Sequence, residues 1–128
     1  VYCERTDPVT VTTAADQTAE EYSEVVRGPI LAVLYDNTDF AAGADVTITT
    51  EKTGQTVATL TNIGATDRVI YPRAQVHGVD GVGLAYEVTN AKVVAEPVWA
   101  AEERLKIVVA QGGVTKTAAF TFLIGGAR

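Results

Sequence analysis

The chain has one cysteine, one histidine, one tryptophan and no methionine. Serine is also nearly missing: Ser23 is alone against eighteen threonines. Each scarcity removes a function class. Cys3 by itself excludes an internal disulfide. One His and one Cys leave too few preferred ligands for zinc. A Ser-His-Asp triad would have to use Ser23 and His77, and Ser23 lies in "EYSEVV", flanked by acids and without a glycine elbow. Cys3 is no better a nucleophile, because a terminal arm does not hold an attacking geometry. No apolar run approaches the ~20 residues of a membrane-spanning helix, and no basic-then-apolar leader is visible at the start. Basic residues are outnumbered ten to sixteen, for a net charge of −6, so phosphate backbones and anionic membrane surfaces are repelled.

What is abundant is β-branched: nineteen valines join the eighteen threonines. Such side chains are stiff at χ1 and suit a pleated, half-buried surface. At 128 residues, with 47% hydrophobic and 20% charged residues, the composition predicts a single globular domain.

Periodicity then places the strands. Residues 1–8 read as an extended N-terminal arm, since Pro8 disfavours a helix before it. Val9–Thr13 alternates. Glu20–Arg27 reads as a second strand, with a helix over 14–24, capped by Asp16, as the competing reading. Gly28-Pro29 signals a turn, and Ile30–Tyr35 an apolar central strand closed by Asp36–Asp39. Ala44–Glu51 and Gln55–Thr61 flank the turn at Lys52–Gly54 and predict a hairpin, with an irregularity after Val57. Asp67–Tyr71 is a short strand stopped by Pro72. Arg73–Ala85, with "HGVDGVG", reads as a glycine-rich surface loop, and Tyr86–Glu96 as a strand bent near Asn90 and ended by Pro97.

The most regular pattern is "LKIVVAQGGVTKTAAFTF", residues 105–122. Leu105, Ile107 and Val109 share one face, and across the link Phe120, Phe122 and Ile124 share another. With Gly112-Gly113 between them, the two runs predict a β-hairpin. Eight to ten short strands separated by frequent turns predict an all-β fold. The expected architecture is an antiparallel β-sandwich, jelly-roll or Ig-like, or a small barrel, with residues 9–128 as the sandwich domain.

The remaining chemistry is sparse. Glu20-Glu21 and Glu102-Glu103 are sequence neighbours that point to opposite sides of a strand, so neither pair makes a shared acid-base site by itself. "DNTD" at 36–39 and Asp80-Gly81 lack the ligand spacing of a calcium loop. "GVDGVG" at 78–83 lacks the lysine and the strand-helix context of a phosphate loop. Trp99 and Tyr71 are aromatic candidates for a sugar platform, but core packing or an edge plug is the expected role of Trp99.

Three stretches carry a resemblance. "ADVTITTEKTGQT" (44–56), "VIYPRA" (69–74) and "EERLKIVVAQGGVTKTAAFTFLI" (102–124) resemble small β-rich structural proteins of tailed bacteriophages, over most of the chain from Asp45 onward. The departure is Thr117-Ala118-Ala119, where a glycine would follow the threonine. The resemblance implies a virion component assembled in the host cytoplasm, most often a capsid decoration or cement protein. Its partner would be the major capsid protein, commonly as a trimer, without cofactor, metal, nucleic acid or membrane. Neck or tail positions are the alternative within this class. A carbohydrate-binding module or adhesin is the alternative outside it. The candidate interface comprises Tyr2 and Arg5 on the arm, Arg73 and His77 in the loop region, and Trp99. The arm would reach across a neighbour and order on binding, or else is a frayed end.

Overall fold

The computed structural model describes residues 2–63, 66–75, 85–87, 92–93 and 95–126. Within them the chain is all-β with antiparallel sheets and no helix. The 14–24 stretch forms a turn and a strand rather than the competing helix.

Two long strands form the spine of a six-stranded sheet: β4 (Val26–Asn37) and β14 (Thr117–Gly126). Each is flanked on its outer side by two short strands in line. On β14 these are β1 (Tyr2–Arg5) and β2 (Val9–Thr12). On β4 they are β7 (Arg68–Ile70) and β12 (Val98–Glu103). Short, interrupted edges are poor templates for unwanted strand pairing. The second sheet has the order β3 (Ala19–Tyr22), β13 (Leu105–Ala110), β5 (Asp45–Thr50), β6 (Thr56–Leu60). Two small ladders complete the set: β8 (Ala74–Gln75) pairs with β11 (Ala95–Glu96), and β9 (Ala85–Glu87) with β10 (Lys92–Val93).

The core lies between the two large sheets. Ile30, Val33, Tyr35, Val98, Phe120, Phe122 and Ile124 from the first share one apolar cluster with Val46, Ile48, Val57, Leu105, Ile107 and Val109 from the second. The architecture is therefore sandwich-like. Tyr35 packs on Phe120 with ring centroids 5.2 Å apart. Burial of each large apolar side chain here contributes roughly 1.5–3 kcal/mol.

The expected hairpin at 105–122 does not form. β13 pairs with β3 and β5, whereas β14 pairs with β1, β2 and β4. The link through Gly112-Gly113 is an arch that carries the chain from one sheet to the other. The reason is geometric. In a hairpin, Leu105, Ile107 and Val109 would sit beside Phe120 and Phe122 on one sheet face. As an arch, the two apolar faces oppose each other and both are dry. The arch is clamped at Thr13, whose hydroxyl donates to Gly113 O (2.6 Å) and accepts the Lys116 N–H (2.8 Å). Gly112 N–H donates to Gln17 O at 3.0 Å.

Other boundaries differ from expectation. Gly28-Pro29 is no turn. Both residues lie inside β4, opposite Ala100 and Trp99. Gly28 has φ +105°, and a Cβ there would sit 2.4 Å from the Gly125 carbonyl oxygen. Proline is tolerated beside such an irregularity. The expected strand 20–27 is divided at Ser23–Val25, where the chain crosses from β3 to β4. Trp99, expected in the core or as an edge plug, is 57% exposed, because Val98 and Ala100 on either side of it take the inward positions. The stretch 86–96 is not one bent strand: its described residues belong to β9, β10 and β11, and β9 is antiparallel to β10. "HGVDGVG" and Asn90 lie outside the described residues. The β5–β6 hairpin forms as expected, and the irregularity is a bulge in which Val57 is the extra residue between Ala58↔Ile48 and Thr56↔Thr49. Residues 2–5 of the expected arm are extended and pair along β14 of the same chain, as an outer strand of the six-stranded sheet.

Gly28→Ala would meet both a left-handed backbone and a main-chain clash, with an expected loss of roughly 2–4 kcal/mol. Gly54→Ala has φ +70° but open space around the new methyl, so the expected loss is only about 1 kcal/mol. Urea denaturation of the two variants side by side measures the difference.

Candidate functional site

The outward face of the six-stranded sheet is built by the alternation that fills the core. With Phe120, Phe122 and Ile124 inward, Thr121, Leu123 and Gly125 point away. Trp99 points outward between buried Val98 and Ala100, directly opposite Pro29. An ideal Cβ on Gly125 would lie 3.1 Å from Leu31 Cδ1 and 3.2 Å from Pro29 Cγ, so these two side chains drape over that glycine. Gly125 in turn is opposite exposed Cys3. A continuous row results: Cys3, Gly125, Leu31 with Pro29, and Trp99. It crosses four strands, roughly 14 Å at the usual interstrand spacing. Beyond the next row, Arg5–Leu123–Ala32, Leu34 lies between Thr121 and Val69. Val69 is 50% exposed. Arg5, opposite Leu123, is an exposed cation at the margin of this apolar ground.

The outward face of the four-stranded sheet is different. Lys106 Nζ lies 3.0 Å from Glu20 Oε1, and the Tyr22 hydroxyl donates to the same oxygen at 3.1 Å. Arg104 makes a forked pair with Glu51 and lies 4.2 Å from the centroid of the Tyr22 ring. These four charges are paired within the sheet, beside an exposed Val108.

The structure brings two expected interface residues onto one face, Arg5 and Trp99, at opposite edges of the sheet. Arg73 is exposed beyond β7, its guanidinium donating to Pro72 O at 2.6 Å. Tyr2 pairs through its backbone with Gly126; its side chain, and all of His77, lie outside the described residues. Sequence reasoning missed Leu31, Leu123 and Val69. A signal was present: "ILAVLY" (30–35) and "FTFLI" (120–124) are apolar at positions of both parities, which marks strands apolar on both faces.

Among the described residues, the one large buried side chain with a charge is Glu103, 1% exposed at the crossing from β12 to β13. Its Oε1 accepts the N–H groups of Lys52 (2.7 Å) and Thr53 (2.9 Å). Its Oε2 accepts the Ala101 N–H and the Thr53 hydroxyl, each at 3.0 Å. Burial opposes the charge, but these four donors outweigh it and hold the carboxyl down at about 2. Glu102, next to it, is exposed and lies 4.0 Å from Arg27. The two acids thus share no site, although the alternation of β12 breaks here, with Ala101 and Glu102 both exposed and Glu102 at φ +54°. Ser23 is likewise occupied: its hydroxyl donates to Glu24 O (2.7 Å) and accepts the Leu105 N–H (3.0 Å), continuing the ladder where β3 ends. Among the described residues, no three His, Cys, Asp or Glu side chains gather as a metal site. The arrangement that could engage another molecule is therefore the apolar sheet face.

No family model, no curated protein and no solved structure matches this chain.

The Glu103 carboxylate sets a pH dependence. Its folded value, about 2, lies below its ordinary value of 4.5. Its stabilisation is therefore complete above that ordinary value and is lost as pH falls from it towards the folded value. Glu103→Gln turns an acceptor into an amide donor facing other donors, with an expected loss of roughly 2–3 kcal/mol at neutral pH. Urea titrations in a pH series should show the gap between the native chain and this variant closing as the medium becomes acid.

Proposed function

We propose that this chain is a structural component of a bacteriophage virion, a capsid decoration protein that grips the outer shell through the outward face of its six-stranded sheet. The observation that carries this reading is that face: an apolar ground of Leu31, Leu34, Leu123 and Val69 with Trp99 standing from it, on a chain that is acidic overall. Val69 and Trp99 are exposed and Leu31, Leu34 and Leu123 half-buried; apolar side chains grouped in this way mark docking sites, and tryptophan and arginine are the residue types most often found at the energetic centre of protein interfaces. The negative charge suits a position away from packaged nucleic acid. The resemblance of residues 44–56, 69–74 and 102–124 to phage structural proteins supplies the partner class, the major capsid protein, and the expectation of a trimer. A neck or tail position uses the same face at lower copy number.

A second reading has one observation in its favour. Trp99 and Tyr71 are both exposed, as the platforms of a carbohydrate-binding module would be.

The test adds purified chain to tailed-phage shells that lack it and counts bound copies by mass. Copies in proportion to shell subunits support decoration, and a few copies per particle move the protein to the neck or tail. Trp99→Ala combined with Val69→Thr should weaken shell binding by at least tenfold, since a tryptophan anchor is worth about 2 kcal/mol or more. The folding free energy of this variant should change by less than about 0.5 kcal/mol, as for other exposed sites. Binding to a glycan array, lost in the Trp99→Ala chain while shells are not bound, would replace the virion reading with the carbohydrate one.

A further inference from the structure

We propose that the outer edge of β6 pairs with β6 of a second copy of this chain, antiparallel about a twofold axis, so that two four-stranded sheets become one continuous sheet.

β6 ends its sheet. It pairs with β5, and among the described residues no strand lies on its other side. Which of its backbone groups face outward follows from β5. The β5–β13 ladder runs from 45 to 50 without a shift, so alternate residues of β5 turn their bonds to the same side. The Thr50 N–H donates to Gln55 O (2.9 Å), so Thr50, Ile48 and Val46 all bond towards β6. Their partners there are Gln55, Ala58 and Leu60. Thr56 and Thr59 lie between these partners, and their N–H and C=O groups point away from β5. Both residues are exposed.

An open edge is a template for another strand, and folded chains protect theirs with charge, proline or a bulge. The other outer strands of the two large sheets have a charge or a proline: Arg5 in β1, Pro8 before β2, Glu20 in β3, Arg68 in β7 and Glu102 in β12. β6 has neither. From Thr53 to Thr66 the chain contains no charged residue and no proline. The bulge at Val57 interrupts the pairing with β5 but leaves 58–60 regular.

Three properties make a second copy the occupant. Identical strands placed antiparallel about a twofold are self-complementary, since each outward N–H meets an outward C=O of the same segment. The chain carries a net charge of −6, so two copies repel where charged surfaces meet, and an uncharged edge is where approach costs least. Leu60 packs against the core but is only half-buried at the end of the sheet. With Leu60 on the axis, its two copies form a non-hydrogen-bonded pair, the kind with the closest side chains, and each covers the other. β6 belongs to the sheet opposite the docking face. The contact therefore joins copies two by two, and it stands or falls separately from binding to a shell.

Sedimentation equilibrium of the native chain should show a monomer–dimer equilibrium. A contact along one strand is small and of the weakly associating class, so the series extends to about 1 mM. Thr59→Pro removes an outward donor that the fold of a single copy does not use. Thr59→Lys adds a charge on either side of the axis. Each should raise the dimer dissociation constant at least about tenfold. Thr10→Lys, at an exposed site on the other sheet, should leave it unchanged, and urea unfolding checks that every variant is folded. The Thr59 amide of the native chain should exchange with deuterated water more slowly as concentration rises. A native chain that stays monomeric throughout the series overturns the proposal, as does association that a folded Thr59 variant retains. A chain that is monomeric by itself, with the Thr59 amide protected only when shells are added, also overturns it and gives the edge to a strand of the shell.

Discussion

The structure depends on one constraint: the apolar faces of β13 and β14 must be buried, and each is the other's cover. Leu105, Ile107 and Val109 line one, Phe120, Phe122 and Ile124 the other, and they meet across the sandwich rather than along a single sheet. From this follows the arch at 111–116, the clamp at Thr13, and the placement of every other strand on one layer or the other. A chain with no internal disulfide has to close such a core by burial and hydrogen bonding alone, and 128 residues suffice for that.

Layered folds concentrate polar problems where the chain changes layer. Here three crossings are each solved by a short polar side chain or a carboxylate that substitutes for a missing backbone partner. Thr13 does so at the arch, Ser23 between β3 and β4, and Glu103 between β12 and β13. Glu103 is the most demanding, because a buried charge is tolerated only with its lone pairs filled. Its four donors come from the β5–β6 turn and from its own strand, so the carboxylate ties the turn of one sheet to the edge of the other. The acid that a search for catalysis would select is thus consumed by architecture.

Function, on this view, is a property of what the core leaves outside. The four-stranded sheet carries paired charges on its outward face, while the six-stranded sheet leaves Trp99 and Val69 exposed beside half-buried Leu31 and Leu123. An apolar face of this kind is compatible with a part that works by holding neighbours, and it requires no reactive group.

The local pattern was readable because a strand's side-chain period is two: which residues of 44–51, 105–109 and 120–124 face inward follows from alternation alone, as does the turn at 52–54. The all-β class follows from composition and turn spacing. Pairing was not readable. Alternation states that a strand has a dry face, but it does not say which strand lies beside it and which lies across from it, so 105–122 looked like a hairpin and folded as an arch. Gly28-Pro29 looked like a turn for a similar reason: those residues allow one, and only the close approach of Gly125 shows why they stand inside β4. Glu103 and Trp99 exchanged their expected places, acid inside and indole outside, because burial depends on the donors and neighbours that distant segments bring. Three of the carboxylate's four donors are 50 or 51 residues away, and the indole's neighbour Pro29 is on another strand. Sequence therefore determined the faces, and tertiary structure determined the partners, because a face is set by adjacent dihedral angles and a partner by the closure of the whole chain.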